Sequence, residues 1–369
     1  MTLMLRFPAQ GGSTNGRQES YHDSSPTISW ASPLNQQSQC RLADSSLRDR
    51  LLDMPQERKR PPLSDEEFVR RWNLWKRALG PDDENSLFRQ MISTCWNIAV
   101  YKAIQASWRT VTAEDGDTIN MNRLLFYFIT TNFNKSLCFD LRRLTDSGNI
   151  EEADAKRHDR SVYSLHSVLE DIRSYREEYT RRRLFICRGL EPDLALIRRK
   201  HDEWLYAPSF KGGFVPAGLD EEPSRQCHEE WDRLCGLTAE YRTLDDCVPV
   251  EYLDLLLNEV HKMRESLFIV DKWFAHAATP ISRRPVTEKS VVTPADLEQL
   301  AKMCGHLVNT VSIILGDGTY PFHTEYADDK WEDWSAGWEC DLIALENAWQ
   351  QWGQAVDSLQ PIYPAELSK

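Results

Sequence analysis

A chain of 369 residues with 41% hydrophobic content and 13 Trp can bury a sizeable core in one large or two small domains. Its net charge of −13 repels phosphates at long range, so nucleic-acid binding would need a local basic patch. No apolar run approaches the roughly 18 to 20 residues of a membrane helix, and the opening MTLMLRFPAQGGSTNG has no segment long enough for a signal peptide. These features predict a soluble, cytoplasmic protein. The nine cysteines are scattered with no CxxC, which predicts reduced thiols.

Residues 1–62 are rich in Ser, Gln, Asn, Gly and Pro with few periodic apolar positions. They read as a disordered tail or an over-extended start, with Met54 as an alternative initiator. Ser64-Asp65-Glu66-Glu67 is a capping box that opens a helix to Leu79, and Gly80-Pro81 stops it. Two more apolar helices follow, from about Ser86 to Val111 and Ile119 to Leu144. Thr145-Asp146-Ser147-Gly148 breaks the chain before a fourth helix, about Ser161 to Arg183. A fifth, about Glu191 to Tyr206, has Pro192 near its first position, where a missing N–H costs nothing. Residues 207–248 read as an insertion or mobile crossover with a short helical piece near Glu229 to Glu240.

Val250 to Ala278 then forms the clearest helix. Leu253, Leu256, Val260, Met263, Leu267, Val270 and Phe274 alternate spacings of three and four, an unbroken apolar stripe suited to the central rod of a bundle. Thr293 at N-cap and Pro294 at N1 open another helix, which ends near Leu315-Gly316. A Trp-rich helix follows, with Trp331, Trp334 and Trp338 at helical spacing and Trp349 and Trp352 beyond. No stretch alternates as a strand. The expectation is an all-α, multi-helix bundle of about seven or eight helices over residues 63–360.

The rod ends in Asp271-Lys272-Trp273-Phe274-Ala275-His276, so its terminus carries an imidazole. A histidine at a helix C-terminus more often packs or caps, but the position also suits a general acid/base. Four segments carry a family resemblance: FVRRWNLWKRALG; SLCFDLRRLTDSG followed by SVYSLHSVLEDI; VDKWFAHAA; and the closing helix with YPFHTEYADDKWEDW. In this order they resemble the AbiU-type (abortive infection) branch of the HEPN superfamily over residues 64–345. The resemblance implies a HEPN-like bundle of the phage-defence or toxin–antitoxin class, homodimeric, acting on RNA without a metal or other cofactor. In such domains an arginine, a polar residue and a histidine four to six residues on handle the ribose 2′-hydroxyl and the phosphate.

Carried over, His276 matches the histidine, Asp271 the polar residue and Lys272 a phosphate contact, while Val270 stands at the arginine position. Arg264 is 12 residues upstream of His276, roughly 18 Å along a helix. The motif is degenerate, and the expectation is an RNA- or nucleotide-binding protein with lost or altered RNase activity. Arg142 and Arg143 are candidate substrate contacts, and in a rival reading they supply the missing arginine of an active RNase. The other rival is a non-catalytic helical scaffold that binds a partner. Nothing indicates DNA or a membrane as partner.

Other patterns weigh less. Arg160 to His166 fits the same arginine-to-histidine spacing, which is permissive. Arg181, Arg182, Arg183, Arg188, Arg198, Arg199 and Lys200 form a basic run, read first as a solvated face and second as a phosphate strip. Cys227, His228, Cys235 and Cys247 are spaced too unevenly for a zinc site. The C-terminal Trp residues, among acidic neighbours, read as packing rather than a base-stacking platform. There is no P-loop, GxSxG, HExxH or Rossmann glycine fingerprint.

Overall fold

The computed structural model describes residues 62–114, 123–155, 163–207, 216, 218–270, 293–322 and 342–367. The chain divides at Pro61–Pro62 into two units, and residues 1–61 lie outside the described set. The described residues are all-α: twelve α-helices, two 3-10 turns and one isolated antiparallel bridge, Thr180 with Cys247. The helices are α1 (Asp65–Leu79), α2 (Leu87–Glu114), α3 (Arg123–Thr145), α4 (Ile150–Ala155), α5 (Leu165–Ser174), α6 (Arg181–Arg188), α7 (Leu194–Leu205), α8 (Glu222–Cys235), α9 (Val250–Val270), α10 (Pro294–Ile314), α11 (Leu342–Asp357) and α12 (Pro364–Leu367). Among these residues no helix is long and apolar enough to cross a membrane.

The count exceeds the seven or eight expected, for local reasons. The predicted fourth helix is two. Its first part ends at Tyr175 and gives way to a 3-10 turn, Arg176–Glu178. Thr180 then caps a new helix, its hydroxyl accepting from the Arg183 N–H. Short helices α4 and α12 add to the count. Likewise α7 is capped by Asp193, whose carboxylate accepts from the Ala195 and Leu196 N–H groups at 2.9 and 3.1 Å, so Pro192 precedes the helix. The helical piece expected near Glu229 to Glu240 is α8, earlier and longer.

Where the capping chemistry is explicit, the structure follows it. In α1 the Ser64 hydroxyl accepts from the Glu67 N–H at 3.3 Å while the Glu67 carboxylate accepts from the Ser64 N–H at 3.0 Å. Phe68 and Trp75 then point inward and are fully buried. On α9 the predicted stripe is real over its described length: Leu253, Leu256, Val260, Met263 and Leu267 are buried. Each such side chain contributes about 1.5–3 kcal/mol. Glu251, Asp254, His261 and Glu265 on the other side are exposed. That buried face packs on α3 and α5.

The hub of the bundle is nonetheless α10. Its residues from Leu307 to Ile314, and on to Gly316, are buried without interruption, and it touches α1, α2, α3, α5 and α8. Over that stretch the helix has no solvent face, whereas Ala295, Asp296 and Gln299 in its first turns are exposed. Its buried polar groups are satisfied from within: Asn309 Nδ2 donates to the Leu359 carbonyl at 2.8 Å, and Thr310 Oγ1 accepts from the Ile362 N–H at 2.8 Å. At Gly305 a Cβ would overlap the Leu359 side chain, so glycine permits the approach of the C-terminal segment. On the far side α11 packs along α2, with Trp96 and Trp349 edge to face at 4.8 Å and Trp352 Nε1 donating to the Cys95 carbonyl at 2.9 Å.

Candidate functional site

His276, Asp271 and Lys272 lie outside the described residues, immediately beyond Val270, the last described residue of α9. Arg160 and the tryptophans at 331, 334 and 338 lie outside them as well. Arg142 and Arg143 are described, in the last turn of α3. Cations there favour the negative end of the helix dipole. Arg142 is half-buried and reaches Asp146 at 4.0 Å. Arg143 is exposed and forms no ion pair among the described residues.

The end of α3 is tied to the start of α5. Ser164, the N-cap of α5, donates its hydroxyl to the Asp146 carbonyl at 2.6 Å and accepts from the Ser167 N–H at 3.1 Å. This places His166 in the first turn of α5, beside the α3 terminus. α5 in turn runs antiparallel to α9: Arg173 near its end pairs with Asp254 early in α9, while His166 near its start faces Arg264 and His261 electrostatically. His261 and Arg264 are three residues apart and so share a face of α9.

The resulting cluster holds one half-buried imidazole, one half-buried guanidinium and a second, exposed imidazole. His166 Nδ1 is buried and has no hydrogen-bond partner. Arg264 has no ion pair or hydrogen bond among the described residues. His261 leans on Glu265 at 3.2 Å. Burial, reinforced by Arg264 and His261, pushes His166 below the ordinary imidazole value, against the pull of Glu170 and Asp146. His166 is therefore neutral at pH 7. A neutral imidazole nitrogen can accept a proton or a hydrogen bond, and a guanidinium without a carboxylate can take a phosphate in a two-pronged contact.

The basic run behaves otherwise. Arg181 is fully buried, neither solvated nor part of a phosphate strip. It donates to Asp232 at 2.6 Å and Asp246 at 3.0 Å. Arg182 pairs with Asp245, Arg183 with Glu178 and Asp65, Arg198 with Glu221, and Lys200 with Glu191. Arg188 lies against the Cys227 thiol. Most of this run is neutralised by its own acidic neighbours, with Arg188 and Arg199 having no ion pair among the described residues. A second closed cluster centres on Arg71, which holds Asp171, Glu151 and the Tyr175 hydroxyl, while Trp75 Nε1 donates to Asp171 at 2.7 Å.

Both nitrogens of His228 are already engaged, one by Arg181 and one by the Pro192 carbonyl. Among the described residues no group of three or more His, Cys, Asp or Glu is arranged to hold a metal. Sequence reasoning missed a cleft of about 590 Å³ beside the end of α1, where Lys76 pairs with Asp317 and Tyr320 closes one wall. Burial and then Arg188 pull Lys76 down to about 8.

Fold and site together define a helical bundle with one open histidine–arginine cluster. No family model matches the chain, and comparison with curated proteins and with solved structures gives no match either.

Proposed function

We propose that this protein is a HEPN-like helical bundle that binds RNA or a nucleotide, with RNase activity lost or altered. The observation that carries the proposal is the pairing of His166, whose Nδ1 has no partner, with Arg264, a guanidinium without a carboxylate among the described residues. Arg142 and Arg143 extend this positive ground along the end of α3. A phosphate would take Arg264 as its charged contact, and His166, once protonated as pH falls, would add a second positive charge beside it. His276, Asp271 and Lys272 remain the residues proposed for acid/base, orienting and phosphate roles in the degenerate motif. Homodimerisation, and a place in the abortive-infection class, belong to the same proposal.

The test uses the full chain with labelled single-stranded RNA in EDTA, beside His276→Ala, His166→Ala and Arg264→Ala. Expected is retention of RNA at low salt that falls as salt rises, is weakened in the last two variants, and comes with no cleavage. Cleavage to cyclic-phosphate ends by the wild type, lost in His276→Ala, overturns the statement that activity is lost. No retention of RNA or of a nucleotide at low salt overturns the binding reading and leaves a partner-binding scaffold.

A further inference from the structure

A second arginine–histidine pair lies apart from the open cluster, where α6, α8 and the segment before α9 meet. Arg181 is fully buried and His228 is 3% exposed. The protonation of this histidine is dictated by its neighbours. His228 Nε2 lies 2.9 Å from the Pro192 carbonyl, which only accepts, so Nε2 carries the proton. His228 Nδ1 lies 3.2 Å from Arg181 Nη1, which only donates, so Nδ1 presents a lone pair. The ring is neutral, with both nitrogens committed.

Protonation would turn Nδ1 into a second donor aimed at a guanidinium. The charged groups facing the ring are Arg181 from α6, Arg242 from the following segment and Asp232 from the same helix. The Phe185 ring covers one face, 4.5 Å between centroids. Neither nearby carboxylate is spare. Asp232 is held by both Arg181 and Arg242, and Asp246 by Arg181 and by the Thr243 N–H and hydroxyl. An imidazolium here would face two guanidiniums whose counter-charges are already in use.

This joint holds a specific piece of chain. The Arg181 N–H donates to the Asp246 carbonyl at 2.9 Å and the Arg182 N–H to the Leu244 carbonyl at 2.8 Å. Trp231 Nε1 reaches the same Asp246 carbonyl at 3.3 Å. Cys247 bridges to Thr180, and three residues later α9 begins at Val250. We infer that the joint is an acid-opened latch: while His228 is neutral it clamps residues 242–248 onto α6 and α8, and when the ring takes a proton that segment lets go at the entry to α9.

The sign follows from the ring's surroundings. Burial, then Arg242 and Arg181, hold the folded-state value below the ordinary 6.5, against Pro192 and Asp232. A histidine depressed in the folded state contributes its full stability above about 6.5, and loses it as pH falls from there toward the folded value. The latch is therefore shut at pH 7.5 and loosens in acid, whether or not the chain binds RNA.

Hydrogen exchange of the full chain at pH 7.5 and 5.5, corrected for intrinsic rates, tests this. Peptides covering 180–184 and 242–248 should exchange faster at pH 5.5, by up to about tenfold per pH unit, the limit for one proton. Val308–Ile314 in α10 should stay unchanged. His228→Asn keeps an acceptor toward Arg181 and cannot be protonated, so its latch peptides should show no rise. Unchanged latch peptides in the wild type overturn the inference. So does an equal rise in α10, which means general acid unfolding, or an equal rise in His228→Asn. If that variant does not fold, the contrast between latch and α10 peptides in the wild type decides.

Discussion

The molecule sets two arginine–histidine pairs side by side as a natural experiment. Arg181 and His228 sit in a sealed joint, where the guanidinium meets two carboxylates, a ring nitrogen and a carbonyl. Arg264 and His166 sit at an open junction, where the guanidinium meets no partner among the described residues and the ring keeps an unsatisfied nitrogen. The residue types are the same, and what differs is whether the fold has already spent their bonding capacity. A buried cation whose charge is balanced from within serves shape, even though Arg181 Nε itself keeps no hydrogen bond, because removing any member strands the others. An unsatisfied pair at a helix junction has capacity left for something the chain does not itself provide. Residue type alone therefore does not separate structure from function here, whereas the inventory of partners does.

The comparison is broken most severely at Arg181. Arg181→Met should cost about 3–5 kcal/mol in urea unfolding, because Asp246 would stay buried without its charged partner among the described residues and Asp232 would keep only Arg242. Arg264→Ala should cost about 1 kcal/mol or less in the same measurement, since no contact among the described residues depends on it. If the two variants destabilise equally, the distinction between a spent and an unspent pair is wrong.

Ligand binding should invert that ranking. Arg264→Ala should weaken RNA retention about ten- to hundredfold, the loss of one charge-assisted contact. Acid separates the pairs further. Burial and then Arg264 and His261 depress His166, so the ring is neutral at pH 7.5 and gains its proton only below about 6.5. Its charged form attracts phosphate, so affinity should rise as pH falls from 7 toward 5.5, by no more than about tenfold per pH unit. The same fall in pH loosens the Arg181 joint. Binding that is flat across this range, measured by fluorescence anisotropy, removes His166 from the contact.

Much of the fold was written in local chemistry. Ser64 with Glu67, Thr293 with Pro294, and the seam from Leu253 to Leu267 each declare a helix through groups within a few residues of one another. The split at Arg176–Glu178 was hidden because TRRRLF reads as a continuing charged helix unless Thr180 is recognised as a cap. The prominence of α9 over α10 in sequence has a physical cause. The α9 stripe keeps its three-four spacing over the whole described helix, whereas α10 has an apolar seam only as far as Cys304 and is buried on every side from Leu307 to Leu315, where the seam no longer stands out. The site was the least legible part. On its own segment Arg264 has His276 for comparison, whereas the imidazole it faces, His166, comes from another helix, brought close by antiparallel packing that no spacing rule encodes. Arg181 was misplaced for the same reason: its carboxylates arrive from α8 and from the segment before α9.

The finest test of the open junction compares neighbours at the end of α3. Arg142 already reaches Asp146 at 4.0 Å, whereas Arg143 is exposed and feels Asp140 without an ion pair to it. If RNA crosses this end of the helix, Arg143 has a charge to give and Arg142 gives less. Arg143→Ala should lower the slope of log affinity against log salt by about 0.7, the share of one single-strand phosphate, with only a few-fold loss at low salt. Arg142→Ala should lower it by less, because its carboxylate neighbour already screens it. Equal drops would mean that the Asp146 contact opens when RNA binds. No drop in either would confine the contact to α5 and α9, leaving His166 and Arg264 to hold the phosphate without the α3 terminus.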